Sequence, residues 1–331
     1  MSKLRLSNSQ INTYTDCNFK WYLDKVKKLR PNWKGSALIF GSALDNAVEH
    51  ILLKKEGSPY DTFIDTLSKF DVNGTPKELP RDILDVRFFA GDIDINIITT
   101  SQMDIIGAYC DSIGIDMPEV DEFLLFCKQQ RKNKTALSKP EQKLFNFLAY
   151  QTMLTKGAML LEKLSEWIDE NVVEVHSVQK KISIENENGD SFIGFLDFIV
   201  TMKNGKKVLI DLKTSSNPSS YYPQQSASES IQLGIYSQEE CVPDVAYLVA
   251  DKKIRVREPK VRLSFIEGII TEEHLDNIFG KIEKYTTEIK EKLEIGEEAF
   301  SKNLDSCVNF GGCEFFNYCK KGDIKGLCYV K

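Results

Sequence analysis

Two aspartates and one lysine stand out because each falls inside an apolar run. Gly194-Phe195-Leu196-Asp197-Phe198-Ile199-Val200 precedes a turn at Lys203-Asn204-Gly205-Lys206, and Val208-Leu209-Ile210-Asp211-Leu212-Lys213-Thr214-Ser215 follows it. A carboxylate among apolar neighbours is costly unless it is paired or binds a cation. Asp211 and Lys213 are two residues apart, so in a strand they share a face. Asp197 on the neighbouring strand can converge on them. Two carboxylates and a backbone carbonyl form a hard oxygen set suited to Mg2+ or Mn2+. A lysine beside them can orient or deprotonate a water, or neutralise charge that builds on a phosphorane. That is the equipment of phosphodiester hydrolysis. The same spacing also fits a structural Asp–Lys pair at a sheet end.

The eight cysteines form a second constellation, because Cys307, Cys313, Cys319 and Cys328 crowd the last 25 residues. Met1 to Ser7 turns polar at once and carries no signal-peptide core, so the expected compartment is reducing and a disulfide framework is disfavoured. A dense thiol cluster then points to a metal or an iron–sulfur centre. The spacing Cys307-x5-Cys313-x5-Cys319 includes Gly311-Gly312, which lets the backbone wrap closely around an inorganic core. A four-cysteine zinc site has the same ligand count, although its close C-x2–4-C knuckles are missing. Cys110, Cys127 and Cys241 lie singly among apolar residues and read as free buried thiols.

Elements must bring these groups together. Residues 7–30 read as one short helix with Ile11, Tyr14, Trp21, Tyr22 and Val26 as its apolar set, ending at the break Pro31 to Gly35. A second helix is expected from Gly41 to about Lys54, then an irregular stretch over 57–100, then helical pattern over 101–170. The texture changes near 172. Val172 to Ile184 alternates, Glu187-Asn188-Gly189-Asp190 reads as a hairpin turn, and Phe192 to Met202 as the returning strand. Val208 to Leu212 has the form of a buried central strand. A loop over 214–226, a helix over about 228–239, a strand from Val245 to Ala250, an edge strand ending at Phe265 to Glu267 and a helix from Glu272 to Glu294 complete the reading. The chain divides into N-terminal helices (1–56), a mainly helical insertion (57–171), a core sheet (172–265) and a C-terminal helix with the cysteines (266–331).

The order Gly194-x-x-Asp197, then Ile210-Asp211-Leu212-Lys213-Thr214-Ser215, then Gln232-Leu233-Gly234-Ile235-Tyr236 resembles motifs II, III and Q-x-x-x-Y of the RecB-like branch of the PD-(D/E)XK nuclease superfamily. Gln232 and Tyr236 are four apart and share a helix face. The first motif of that branch reads G-x-x-x-H; here Phe40-Gly41-Ser42-Ala43-Leu44-Asp45 places Asp45 at the histidine position. Asp45 and Glu49, four apart, form a like-charge pair that suits a cation or a solvated acidic face. His50 lies about 100° further round and is not a substitute ligand. Gln179 falls where relatives often carry glutamate and receives no catalytic role. Cys17 is similar to the N-terminal cysteine of iron–sulfur RecB-like nucleases, in which one cysteine precedes the nuclease motifs and three follow, holding a [4Fe-4S] cluster. Their C-terminal spacing is more often C-x2-C-x5-C. Cys328 in place of Cys17 would give a wholly C-terminal site.

The resemblance implies an α/β fold of restriction-endonuclease type, with a central mixed sheet, flanking helices, a helical N-terminal half and a C-terminal cysteine region. It implies a metal-dependent DNA exonuclease acting on single strands or duplex ends. Asp197, Asp211, the Leu212 carbonyl and Asp45 would hold Mg2+ or Mn2+, Lys213 would activate water, and Gln232 and Tyr236 would position the strand. Cys17, Cys307, Cys313 and Cys319 would hold the cluster. Tyr221 and Tyr222 either stack on unpaired bases or anchor their loop, and anchoring is favoured. The alternative is a non-catalytic DNA-binding or scaffold protein with a degenerate nuclease fold, for which the altered first motif speaks.

The 331 residues carry 43 basic and 49 acidic side chains, a net charge of -6, so DNA binding needs positive charge concentrated locally. Lys25, Lys27, Lys28, Arg30 and Lys34 are one candidate patch, and Lys252, Lys253, Arg255 and Arg257 another. No P-loop is present, so unwinding would come from a helicase or recombination partner. No apolar run approaches the ~18 residues of a membrane span. The expected location is the cytoplasm, that of the host if the protein is phage-encoded.

Overall fold

The computed structural model describes residues 3–68, 85–88, 93–133, 135–254, 260–307 and 312–330. The chain begins with β1 (Arg5–Leu6), α1 (Asn8–Asp16) and α2 (Asn18–Lys25), continues with β2 (Leu29–Pro31), β3 (Trp33–Gly35), α3 (Ser36–Leu52), α4 (Pro59–Ser68) and β4 (Asp85–Arg87), and then runs through α5 (Thr100–Ile113), α6 (Val120–Lys132) and α7 (Lys139–Asn171). The second half comprises β5 (Val172–Glu185), β6 (Ser191–Met202), β7 (Lys207–Ser215), the short α8 (Pro218–Tyr221), α9 (Ile231–Glu240), β8 (Asp244–Asp251), β9 (Arg262–Ile269), α10 (Glu272–Ile295), α11 (Phe316–Lys321) and β10 (Leu327–Tyr329).

The six-stranded sheet follows the order β1-β6-β7-β8-β9, with β5 also paired to β6. β5, β6 and β7 form antiparallel hairpins, β7 and β8 run parallel through the α9 crossover, and β9 returns antiparallel. The result is a mixed α/β architecture with a central mixed sheet and flanking helices, consistent with the expected restriction-endonuclease-like fold.

The two faces of the sheet pack against different helices. Phe198 and Val200 of β6 and Val208, Ile210 and Leu212 of β7 pack with α3, α4 and α7 residues such as Leu44, Phe63 and Leu164. Leu196 and Ile199 of β6 and Leu209 of β7 face the other way, against Ile11 of α1, Leu233 and Tyr236 of α9 and Ile278 of α10. Asp211 and Lys213 share the Leu209 face, so the sheet aims them at α9.

Three expectations need correction. Residues 7–30 form two helices, not one. Cys17 is extended (φ -160°, ψ 108°) and ends α1 while starting α2, and Asn18 Nδ2 donates to the Tyr14 carbonyl at 2.7 Å, satisfying one of the orphan acceptors of α1. The second helix starts at Ser36 rather than Gly41. Within 57–100 the structure has α4, where Pro59 occupies the helix start it is suited to and Phe63 and Leu67 are buried; residues 69–84 and 89–92 lie outside the described residues. The 101–170 pattern resolves into three helices, α5 closing on Gly114 in the left-handed region and α7 opening on a Ser138–Glu141 capping box. Among the described residues no helix is long and apolar enough to cross a membrane.

Candidate active site

The β6–β7 ladder runs from Thr201↔Lys207 to Phe198↔Ile210 and stops there. Continuing that register puts Asp197 opposite Asp211 at the point where the strands part. Asp197 Oδ2 accepts the Leu212 N–H at 2.7 Å, taking up the donor the ladder leaves behind. On the same face of β7, Lys213 Nζ stands 2.5 Å from Asp211 Oδ2. That contact is an ion pair in which the ammonium occupies Oδ2 of a carboxylate whose side chain is only 1% exposed.

The α9 helix supplies the other partners. Ser230 caps it, accepting the Leu233 N–H, and the i,i+4 spacing brings Gln232 and Tyr236 to one face. Gln232 Nε2 donates to Asp211 Oδ1 at 2.9 Å and to the Tyr236 hydroxyl at 3.3 Å. Gly194 now has a reason: a Cβ there would overlap the Tyr236 hydroxyl. The Gly194-x-x-Asp197 pattern therefore leaves room for the tyrosine ring as well as placing the carboxylate.

Electrostatics tie the groups into one unit. Burial raises Asp197 well above the ordinary carboxylate range, Asp211 and Asp45 adding to the effect and Lys213 opposing it. Burial also dominates at Asp45, pushed up to about 7, where Lys213 works against the shift and Asp211 with it. Burial disfavours charge on Lys213, but Asp211 and Asp197 outweigh it and hold the ammonium raised. Tyr236 is pushed up to about 12, chiefly by burial. The structure thus brings Asp45, Asp197, Asp211, Lys213, Gln232 and Tyr236 into one locale, although α3 buries its apolar face in the opposite layer.

Two further side chains reach the site, Asn8, which the sequence reading missed, and Gln179, which it noted without a role. Asn8, the first residue of α1, donates from Nδ2 to Gln232 Oε1 at 3.3 Å. Gln179 of β5 donates from Nε2 to Asp197 Oδ1 at 3.4 Å. Other candidates sit elsewhere. Glu49 turns to Lys55 at 2.7 Å, so the Asp45–Glu49 pair does not act as a unit. His50 is buried, with ring nitrogens 2.9 Å from Thr62 Oγ1 and 3.3 Å from the Gly57 carbonyl. Tyr222 packs edge-on against Tyr247 with ring centroids 5.1 Å apart, an anchor as favoured, while Tyr221 is exposed.

The basic patches also separate. Lys25 and Arg30 both pair with Asp24, and Lys27 pairs with Glu297. Much of the first run is therefore neutralised within the chain. Lys252 instead lines a cleft with Ser36, Phe40, Lys156 and Ser216, just past the carboxyl ends of β7 and β8. Arg255 and Arg257 lie outside the described residues.

The thiols gather at the far end of α1. Cys17 Sγ accepts the Asn303 N–H at 3.4 Å, and the Cys313 N–H donates to the Cys307 carbonyl at 2.9 Å. Cys17, Cys313 and Cys319 pack beside Phe19, Trp21, Phe300 and Phe315. Burial pushes Cys313 up to about 11, with Cys307 adding to the effect, and raises Cys319, which also senses Cys17 and Cys307. The four expected cysteines are therefore neighbours, whereas Cys328 lies on β10, paired in register with Arg30 of β2. Cys110 and Cys127 are buried as expected, but Cys241 is exposed, because it ends α9 in the left-handed conformation at the surface. Among the described residues, no three His, Cys, Asp or Glu side chains are arranged to hold a metal ion as they stand. The donor chemistry nevertheless fits in both places: hard carboxylate oxygens gathered in burial at Asp45, Asp197 and Asp211, soft sulfurs at the thiols.

No curated protein matches the sequence. A solved structure described as "Crystal structure of SSO0001" is similar over 49% of this chain and 85% of its own, at 16% identity and a TM-score of 0.26. The family model of the PD-(D/E)XK nuclease superfamily matches residues 5–86, a span that takes in Asn8, Cys17 and Asp45 and ends before Asp197. That match, on a mixed α/β fold whose central strands carry Asp197, Asp211 and Lys213 side by side, points to a nuclease.

Proposed function

We propose that this chain is a divalent-metal-dependent deoxyribonuclease that degrades DNA from ends, as single strand or at duplex termini. The observation that carries the reading is the meeting of Asp197 and β7 where β6 and β7 part, with the Leu212 N–H on Asp197 and Lys213 against Asp211. Asp197, Asp211 and the Leu212 carbonyl would hold Mg2+ or Mn2+, with Asp45 as a further carboxylate. A bound cation of this kind polarises the phosphoryl oxygen and lowers the pKa of a water. Lys213, held as an ammonium by its two carboxylates, supplies positive charge where the phosphorane charge builds. Gln232 fixes the Asp211 carboxylate through Oδ1 and links it to Tyr236. The cleft that Lys252 lines just past the carboxyl ends of β7 and β8 is where a nucleic-acid backbone would pass.

Cys17, Cys307, Cys313 and Cys319 would hold a [4Fe-4S] cluster, with zinc as the alternative, joining the first helices to the last segment. The preference for exonuclease action, and for a helicase or recombination partner, is supported by the Gln232–Tyr236 motif and the cysteine arrangement through their resemblance to RecB-like nucleases.

The test is a digestion series on single-stranded and duplex DNA labelled at the 5′ or the 3′ end, with Mg2+ or Mn2+. Stepwise loss from one end is expected, with Asp211→Ala abolishing it and Lys213→Ala slowing it by about 10²–10⁴-fold. DNA binding without cleavage under every metal condition would establish the non-catalytic alternative. Cleavage unchanged in both variants would remove these residues from the reaction.

A further inference from the structure

Gln179 lies within β5 between the register pairs Val178↔Phe198 and Lys180↔Leu196, directly opposite Asp197. Its φ is +50°, in the left-handed region that side chains other than Gly, Asn and Asp seldom adopt. The other described non-glycine residues with positive φ are Lys28, Lys54 and Cys241. Lys28 and Lys54 follow α2 and α3 within a few residues, and Cys241 caps α9. Among the described residues, Gln179 alone holds this conformation inside a strand. Strain of this kind persists where the surroundings enforce it, and it collects at functional sites. Here it accompanies one specific contact, the Gln179 amide on Asp197 Oδ1, while the Leu212 N–H holds Oδ2.

Resting on the metal-dependent reading above, we propose that Gln179 is a positioning residue for the divalent cation. With one donor on each oxygen, the Asp197 carboxylate is pinned from β5 and β7 together. Each oxygen keeps a lone pair for a cation shared with Asp211. Groups that orient a ligand in this way govern metal affinity and activity by about 10- to 100-fold.

The test uses the full chain, Mn2+ as the probe metal, and the variants Gln179→Gly and Gln179→Ala. Both delete the amide, but only glycine relieves the strain. Calorimetric titration should show Mn2+ binding weakened at least tenfold in both. The melting temperature should rise or hold in the glycine variant and fall in the alanine variant. In cleavage of a single-stranded oligonucleotide at saturating Mn2+, kcat should fall about tenfold with the KM for DNA within twofold. A purely structural residue would instead make metal affinity follow melting temperature. Wild-type Mn2+ affinity retained in both variants would overturn the proposal alone; failure of the wild type to bind Mn2+ would overturn the metal reading and this proposal with it.

Discussion

The carboxylate centre and the cysteine lobe are built on opposite plans. At the first, Asp197, Asp211 and Lys213 come from two strands of one hairpin, Gln232 and Tyr236 from the next long helix, and most of the polar groups have a partner supplied by regular structure. At the second, Cys17 comes from one end of the chain and Cys307, Cys313 and Cys319 from the other, and the sulfurs touch mainly backbone groups at sulfur distances. A site of the first kind is preorganised by the fold. A site of the second kind closes a loop of nearly the whole chain, and a bound metal there would contribute to folding directly. Helix α1, nine residues and about 13 Å long, touches both: Asn8 at its start reaches Gln232, and Cys17 follows its end.

This contrast is sharpest at the cysteines. Cys17→Ser and Cys319→Ser should lose bound iron or zinc and lower stability by several kcal/mol, about the scale of a structural metal site. Calorimetric Mn2+ affinity of the surviving folded protein should stay near wild type. Elemental analysis and melting curves check the first part; a parallel loss of Mn2+ binding would show that the two regions are one unit.

A smaller effect is expected at Gly194→Ala. The new methyl meets the Tyr236 hydroxyl, and overpacking of this kind costs about 1–3 kcal/mol. Urea denaturation would measure it, and Gly194→Ala combined with Tyr236→Phe should recover part of the loss. No recovery would show that Gly194 serves the backbone instead.

The smallest concerns the tie between the β5–β6 hairpin, the chain's first strand and α10, outside both regions. Asp190, in the β5–β6 hairpin, accepts from the Leu4 N–H at 2.9 Å and from Lys290 of α10 at 2.6 Å. Burial raises its pKa, but those two donors outweigh it and hold the carboxyl below its usual range. A depressed folded-state pKa gives stability that is present above the unfolded value of about 4 and is lost as pH falls through the folded one. Asp190→Asn should therefore melt lower at pH 7, by about 1 to 2 kcal/mol, and show a flatter acid limb below pH about 4. Identical acid limbs would remove the ion pair from the account.

Much of the carboxylate centre was legible because it is local. A period-two strand pattern and one tight turn place Asp197, Asp211 and Lys213, and an i,i+4 pair places Gln232 and Tyr236. Asn8 was not, since it reaches Gln232 from 224 residues away. Gln179 was noted without a role, although counting back from the Asn188-Gly189 turn without a slip sets it opposite Asp197. The split at Cys17 was hidden for another reason: apolar periodicity continues through it, and the break is made by Asn18 and by the distant Asn303. α4 was obscured by taking Pro59 as punctuation when it is a helix start.

The most direct measurement is Mn2+ binding to the full-length wild type and to Asp197→Asn and Asp211→Asn, each shown to be folded. A cation shared between the two strands predicts a site that either substitution alone eliminates or weakens by more than tenfold. Full binding retained when one of the two aspartates is replaced would contradict it.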